Sequence, residues 1–298
     1  MQTPKTIVVP TDFSDLAKFA FPHARALAEA FGAEIVLTHS VPPESYPAYQ
    51  VVKMTGFPNI KTEVQNAATA ELESYKAEFA GLQVSTEFRE GRPYACVNGV
   101  ATDREAGLIV IATHGRGGLT HALLGSTAER VVRTAPVPVL SVHTEGTREP
   151  LDPRQVKRVL VPTDFSDTSR AALKVANWFA GTDAEIIAVH AFEPPSFPAG
   201  PFGILAVDMG ALEAELRAKA TEGMEAWMVE LRKVHANARG LMPDGDPVEA
   251  VVQVAADENA DLIIVGTHGH TGLKHLYLGS VAEDIVRRAA CPVLTLRG

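Results

Sequence analysis

The sequence has 298 residues, of which 46% are hydrophobic, and it carries a formal net charge of −9 at pH 7 with a pI near 5.6. This apolar content suffices for two packed cores, and the acidic balance argues against a nucleic-acid-binding protein, which normally shows a basic face. No apolar run approaches the length of a membrane helix, and the first residues, Met1–Thr6, lack the charged and apolar regions of a signal peptide.

The first predicted element is a short buried strand that ends in polar turn residues. Ile7–Val9 are apolar, and Pro10, Thr11 and Asp12 follow them directly. A helix is predicted next, but Pro22 falls inside it and would remove a backbone hydrogen bond. We therefore predict that this helix is kinked or begins late.

Further along, the first half carries a glycine turn at the end of another strand. The chain reads Ala112-Thr-His-Gly115, then nine residues, then Gly125-Ser126. Glycines let a backbone come close to a ligand and expose its N–H groups, and the N-terminus of a helix favours anions. A glycine-rich turn and a helix start that carries a hydroxyl are the two parts that hold a phosphate.

Both features recur in the second half of the chain. Val159–Asp167 repeats the pattern of Ile7–Asp15, and Gly266-Thr-His-Gly269 followed by Gly279-Ser280 repeats the glycine turn. The period is much longer than the roughly 20–50 residues of a solenoid repeat. We therefore predict two fused domains, residues 1–145 and 155–298, joined by a linker at residues 146–154 whose polar, proline-containing composition is expected of an exposed connection.

Strands alternate with helices in the second half, and the first half repeats the order. The predicted strands are Arg158–Pro162, Glu185–His190, a weaker one near Ala238–Met242, Leu262–Gly266 and Val293–Leu296; the predicted helices are Asp167–Ala180, Gly210–Val234, Pro247–Glu258 and Ser280–Ala289. Several strands are apolar runs without alternation, which is typical of parallel strands covered by helices on both faces. The predicted fold class is α/β with two tandem doubly wound domains, in which ligands bind beyond the carboxyl ends of the strands.

The assembled motifs resemble those of tandem universal stress proteins. They are Pro-Thr-Asp after the first strand, Gly-x-x-Gly-x9-Gly-Ser after the fourth, and the tail Cys291-Pro-Val-Leu-Thr-Leu296. The resemblance implies a parallel five-stranded sheet of order 3-2-1-4-5 in each half. In one branch of the family it also implies ATP, or ADP or AMP, in the cleft, with Mg²⁺ as an ion that could accompany the nucleotide.

The resemblance also gives roles to residues at the matching positions. Asp12 and Asp164 would meet the ribose, and Ser40 and Ala191 would offer backbone groups on the adenine side. The remaining candidate contacts are Pro10, Thr11, Ala112, Gly115, Gly125, Ser126 and Thr127 in the first half, and Pro162, Thr163, Gly266, Gly269, Gly279, Ser280 and Val281 in the second.

Ala112 departs from this pattern, because the motif has glycine there, as at Gly266 in the second half. The Cβ of Ala112 would occupy the space where the backbone approaches the ligand, and a residue that needed a positive φ would also be strained. We therefore expect the second half to bind the nucleotide more tightly than the first.

Simpler roles stay open for the same residues. The glycines can serve only to make a turn, Ser126 and Ser280 can be helix caps, and Asp12 and Asp164 can fix the following turn. His114 and His268 have no identifiable nucleophile or carboxylate partner in the sequence, so a turn-stabilising role is favoured over catalysis. The spacing of His268, His270 and His275, with no cysteine or acidic residue to complete a set, assigns no metal site.

Three functions are compatible with these motifs. The favoured one is a regulatory protein of the stress response whose shape or partners change with nucleotide occupancy. A slow ATPase or nucleotide-dependent transferase and an interaction module with vestigial clefts are the alternatives. The enzyme is disfavoured because no P-loop pattern Gly-x4-Gly-Lys-Ser/Thr occurs, and the nearest basic candidates after the glycines are Arg116 and Lys274.

The sequence also makes predictions about compartment and assembly. The two cysteines, Cys96 and Cys291, lie in non-equivalent places, so a reducing cytoplasm is expected. The resemblance implies pairing through the last strand, which is common in the family, and here the last strands of the two halves, Val137–Val142 and Val293–Leu296, can pair within one chain and cover two sheet edges. We therefore predict an internal pseudo-dimer, further homodimerisation of whole chains, and a protein partner that the sequence does not identify.

Overall fold

The computed structural model describes residues 2–42, 60–113, 124–143, 149–181, 183–194, 208–267 and 279–297. The elements of the first half are β1 (Thr6–Pro10), α1 (Ala20–Phe31), β2 (Glu34–Val41), α2 (Ile60–Tyr75), β3 (Val84–Glu90), α3 (Pro93–Asp103), β4 (Leu108–Ala112), α4 (Ser126–Thr134) and β5 (Val139–Val142). Those of the second half are β6 (Arg158–Pro162), α5 (Asp167–Ala176), β7 (Glu185–Val189), α6 (Met209–Arg232), β8 (Ala238–Leu241), α7 (Pro247–Asp257), β9 (Leu262–Gly266), α8 (Ser280–Arg288) and β10 (Val293–Leu296). Among these helices, none is both long enough and apolar enough to cross a membrane.

All the strands belong to one ten-stranded sheet of order β3-β2-β1-β4-β5-β10-β9-β6-β7-β8. Within each half the neighbouring strands are parallel, in the order 3-2-1-4-5, which confirms the predicted fold class. The halves meet where β5 and β10 pair antiparallel, with Leu294 opposite Leu140. The predicted pairing of the two last strands within the chain is therefore confirmed.

Two hydrophobic cores lie on opposite faces of the sheet, and each contains residues from both halves. One is covered by α1, α2, α5 and α6 and includes Leu140 and Leu294. The other is covered by α3, α4, α7 and α8 and includes Val139 and Val293. Because side chains alternate between the faces of a strand, the short strands β5 and β10 contribute to both cores and join the two halves.

The first helix of the first half begins late, as Pro22 predicts. A short 3-10 helix, Ala17–Phe19, precedes α1, and Pro22 is the third residue of α1, within the first turn, where its missing N–H costs no helical hydrogen bond. The equivalent helix of the second half starts earlier, at Asp167, because Ser166 caps it by accepting a hydrogen bond from the N–H of Ser169. That helix ends at Ala176 rather than at the predicted Ala180.

The segment between the halves is less exposed than its composition predicts. Leu151 and Val156 are buried in the first core, with exposures of 5% and 8%. The backbone N–H of Leu151 donates to Nδ1 of His23 on α1, at 3.0 Å. The predicted exposure is therefore wrong at Leu151, which packs against the first half, whereas Glu149, Pro150 and Arg154 of the same segment are exposed.

Candidate functional site

Each half has a crevice at the edge where its parallel strands end, which we call the carboxyl edge. In the first half β1 lies between β2 and β4, and its pairing with β4 stops at Val8 and Ile109. In the second half the pairing of β6 with β9 stops likewise at Leu160 and Ile263. The chain order reverses on the two sides of β1 and of β6, which is the position where open α/β sheets bind ligands.

One wall of the first crevice is the turn that follows β1. The hydroxyl Oγ1 of Thr11 accepts a hydrogen bond from the N–H of Phe13 at 3.0 Å. Oδ1 of Asp12 accepts from the N–H and the hydroxyl of Ser14, at 3.0 and 2.5 Å. Asp12 therefore does fix its own turn, and this role does not exclude a contact to a ligand because a carboxylate accepts about four hydrogen bonds.

The second half repeats this turn with one added contact. Oγ1 of Thr163 accepts from the N–H of Phe165 at 2.9 Å, and Oδ1 of Asp164 accepts from the N–H of Ser166 at 3.0 Å. The same Oδ1 also accepts from the hydroxyl of Ser169 on α5, at 2.7 Å. The threonines are buried, while both aspartates are partly exposed at the carboxyl edge.

A phenylalanine in each turn adopts a left-handed backbone conformation that bulky residues rarely take. The φ angles are 63° at Phe13 and 66° at Phe165. The ring of Phe13 stacks on His39 with centroids 4.1 Å apart, and Phe165 lies 4.4 Å from His190. Left-handed residues cost about 1–3 kcal/mol each and cluster at functional sites, where surrounding contacts hold them.

The two histidines are site residues that sequence reasoning did not assign. His39 donates from Nδ1 to the carbonyl of Thr11, and His190 donates from Nδ1 to the carbonyl of Thr163, both at 2.8 Å. Each histidine therefore joins the end of the second strand to the turn after the first. The signal available in the sequence was that a histidine follows the apolar run of the second strand in both halves, at Leu37-Thr-His39 and Ala188-Val-His190.

The backbone of Ser40 and Ala191 is directed towards the crevice. Along a strand, successive residues aim their backbone groups at opposite neighbours. In the second half, the N–H of His190 bonds to Leu241 of β8, and that of Phe192 bonds to Pro243 beyond it. Ala191 lies between them, so its N–H and C=O point the other way, past the end of β6.

The same argument applies to Ser40, although this residue lies within its strand. The carbonyl of Thr38 accepts from the N–H of Thr11 on the β1 side, and two residues later Ser40 faces that side again. The pairing of β1 with β2 has ended by then, at Pro10 and Thr38. Ser40 itself lies within β2, which continues through Val41 and pairs with β3 up to Glu90.

In each half a backbone hydrogen bond connects the two ends of the glycine turn. The N–H of Gly125 donates to the carbonyl of Thr113 at 2.7 Å, and Gly279 donates likewise to Thr267 at 2.8 Å. These buried threonines were not singled out from the sequence. The middle of each turn, with the predicted Gly115 and Gly269, lies outside the described residues, as do His114, His268, His270, His275, Arg116 and Lys274.

Helices α4 and α8 begin directly after these closures. Their caps are Gly125 and Gly279, so Ser126 and Ser280 are the first helical residues and not the caps that the simpler interpretation allowed. The first helical hydrogen bonds run from the N–H of Glu129 to the carbonyl of Gly125 and from the N–H of Glu283 to the carbonyl of Gly279. The N–H groups of the first turn, which include those of Thr127 and Val281, therefore have no acceptor within their helix.

The structure shows a packing constraint at Gly266 that the sequence did not reveal. Gly266 does not have a positive φ, so no backbone strain sets it apart. A Cβ built on Gly266 would overlap Cγ2 of Thr168 on α5, on the face of the sheet that α5 covers. The N–H of Thr267 bonds to Leu296 of β10, so the backbone of Gly266 faces the opposite side, towards the crevice. A Cβ at Gly266 would thus meet Thr168 of α5, and the predicted obstruction of the ligand by the Cβ of Ala112 stays a prediction.

In each half a cation near the start of the first helix lies over an aromatic ring. Nζ of Lys18 lies 5.2 Å above the ring of Tyr75, and Cζ of Arg170 lies 4.9 Å above that of Trp227. A hydrogen bond to Asp15 raises the pKa of Lys18, which keeps this side chain charged. Within the described ranges, no three histidine, cysteine or acidic side chains are grouped so that they could hold a metal ion.

Comparison with known proteins finds relatives that all belong to one family. The model of the universal stress protein family matches residues 3–143 and again residues 155–297. The chain is 35% identical over 153 residues to universal stress protein MJ0577 of Methanocaldococcus jannaschii, which covers 47% of this chain and 94% of that protein. It is 25% identical to universal stress protein Slr1230 of Synechocystis, over 98% of this chain and all of that one.

A solved structure is similar over the whole length. The crystal structure of a universal stress protein from Archaeoglobus fulgidus superposes with a TM-score of 0.68 at 21% identity, covering 100% of this chain and 99% of that one. At this identity the likeness concerns the fold alone. It supports the arrangement of two α/β halves in one chain.

Proposed function

The chain belongs to the universal stress protein family, with two tandem copies of the family's domain, and from this premise we propose that it is a regulatory protein that binds an adenine nucleotide in each half. The ligand is ATP, ADP or AMP, held at the carboxyl edge. We propose the domain boundaries 1–145 and 155–298.

The observation that carries the proposal is the arrangement of three kinds of group around one crevice. In the second half these are the carboxylate of Asp164, the inward-directed backbone of Ala191, and the N-terminus of α8 at Ser280. A carboxylate suits ribose hydroxyls, a backbone N–H and C=O side by side suit the edge of a base, and a helix N-terminus suits phosphate. The strands that precede Ala191, Asp164 and Ser280 lie in the order β7, β6 and β9 in the sheet, and a nucleotide has its base, ribose and phosphate in the same order.

A direct test is to identify the nucleotide that the protein carries. Mass spectrometry of small molecules released from gently purified protein is expected to find an adenine nucleotide. Adding ATP to stripped protein is expected to raise its melting temperature, because a ligand that binds only the folded state stabilises it. If no nucleotide co-purifies and none shifts the melting temperature, the clefts are vestigial. Turnover of ATP by the purified protein would instead favour the slow ATPase.

A substitution at Asp164 tests the site itself. Asp164→Asn keeps an oxygen that can accept the hydrogen bonds of the turn but loses the charge, and a hydrogen bond to a charged group contributes about 1.5–3 kcal/mol. We expect the affinity of the second cleft for ATP to fall about tenfold or more.

The matched control is Asp167→Asn, three residues away, whose carboxylate is exposed and pairs only loosely with Arg170 at 3.8 Å. It removes the same charge without touching the turn, so ATP affinity is expected to change little. Titration calorimetry in which both variants behave alike would remove Asp164 from the site.

A further inference from the structure

Asp164 is held by a residue of the neighbouring helix as well as by its own turn. Ser169 is the third residue of α5, and its side chain is buried, with 6% exposure. Its hydroxyl donates to Oδ1 of Asp164 at 2.7 Å and lies 3.3 Å from the hydroxyl of Ser166. The backbone N–H of Asp164 also points at this hydroxyl, at 3.4 Å. Ser169 is thus the centre of a small polar cluster beneath the aspartate.

In the first half the equivalent aspartate, Asp12, is held by a different hydroxyl. Ala17 stands where the second half has Ser169, and the hydroxyl of Ser14 donates to Oδ1 of Asp12 instead. Helix α1 begins only at Ala20, so Asp12 is held within its own turn. The carboxylate of Asp164, by contrast, is tied to the first turn of α5, and its orientation follows that helix.

We propose that Ser169 is a positioning residue that orients Asp164 for a ribose hydroxyl, so that the second cleft distinguishes ribonucleotides from deoxyribonucleotides. This inference rests on the proposed function. The N–H of Ser166 in the turn and the hydroxyl of Ser169 on α5 both donate to Oδ1 of Asp164, which restrains the rotation of the carboxylate. A carboxylate whose rotation is restrained before the ligand arrives loses less freedom on binding, which is how supporting hydrogen bonds improve a site.

The test compares ATP with 2′-deoxyATP and 3′-deoxyATP in the full chain. Titration calorimetry is done in a background that carries Asp12→Ala, so that the second cleft dominates. With Ser169 intact, ATP is expected to bind more tightly than one of the two deoxynucleotides, namely the one that lacks the ribose hydroxyl bound by Asp164. Ser169→Ala is expected to weaken ATP about three- to tenfold, the effect of one hydrogen bond, and to leave that deoxynucleotide nearly unchanged. Ser169→Thr keeps the hydroxyl and is expected to restore the preference.

The ratio of the two affinities is the deciding readout. Both nucleotides are measured on the same preparation, so the ratio does not depend on how much of a variant is folded. A general loss of stability would weaken ATP and deoxynucleotide alike, and an unchanged ratio in Ser169→Ala would overturn the positioning role while leaving nucleotide binding intact. If the protein with Ser169 binds ATP but does not prefer it to either deoxynucleotide, the ribose contact fails as well. Absence of any nucleotide binding in the unmodified chain would overturn the proposed function itself.

Discussion

Gly266 ends β9 against the first turn of α5, and a Cβ there would lie 3.2 Å from the Cβ of Thr168 and overlap its Cγ2. Contacts this short cannot persist, so either the threonine or the helix would have to shift. In the first half α1 starts later, and Ala112 is accommodated in the core with 7% exposure. The glycine of the second half therefore correlates with the earlier start of α5.

This geometry predicts how Gly266→Ala acts. We expect the free energy of unfolding to fall by about 1–3 kcal/mol, the usual cost of overpacking a core. Thr168→Ser removes Cγ2, the overlapping atom, and is expected to recover much of that loss when the two substitutions are combined. Urea denaturation of the single and double variants measures the coupling. A variant with unchanged stability but much weaker ATP binding would instead support the original interpretation, in which the methyl group obstructs the ligand.

At the level of elements, the docked segment around Leu151 depends on a buried histidine. His23 is 7% exposed and accepts the hydrogen bond from Leu151, so it must be neutral at Nδ1. Burial lowers its pKa to about 4, from a value of 6.5 in the unfolded chain. The unfolded state therefore takes up a proton first as the pH falls, and that uptake favours unfolding.

Because of His23, we expect the free energy of unfolding to fall as the pH is lowered from about 6.5 to about 4. Above pH 6.5 we expect His23 to contribute no pH dependence. A difference of about 2.5 pKa units corresponds to a loss approaching roughly 3 kcal/mol at the acid end. His23→Asn offers an uncharged acceptor near the position of Nδ1 and is the comparison variant. Urea denaturation at pH 7.5 and pH 5 is expected to show a larger decrease for the unmodified protein than for the variant. Equal decreases would mean that His23 already titrates normally in the folded state.

For the whole molecule, the antiparallel pairing of β5 with β10 joins the two halves into one sheet. Both cores continue across this pairing, with Leu140 beside Leu294 on one face and Val139 with Val293 on the other. Arg133 on α4 adds an ion pair with Glu283 on α8, at 3.3 Å. The halves are therefore joined by a sheet, two cores and an ion pair. Dimerisation of whole chains stays a prediction.

The second half alone, residues 155–298, would expose the edge of β10 and the apolar side chains beside it. Unpaired strand edges promote association, so we expect this fragment to dimerise through β10 and to unfold more readily when diluted. Light scattering over a range of concentrations measures the association, and the full chain, in which β5 covers β10, is the control. A fragment that stayed monomeric and fully stable at high concentration would show that the pairing contributes little.

The sequence by itself determined the features that depend on local patterns. Apolar runs placed the second-half strands to within a residue, Pro22 predicted the late start of α1, and the repeated motifs identified two α/β halves and the turns at Asp12 and Asp164. These follow from neighbours along the chain, such as the hydrogen bonds of Asp12 to Ser14. The order of the strands came from the family resemblance, and the pairing of β5 with β10 was predicted from it.

Only the tertiary structure decided which way each group of the site points. It showed that the Cβ at position 266 meets Thr168, that Ser169 holds Asp164, and that Leu151 docks on His23. The backbone direction at Ser40 and Ala191 likewise depends on the register with neighbouring strands. Each of these depends on how a strand and a helix, or two strands, are placed against each other, and a pattern read along one segment holds no information about the distance to another.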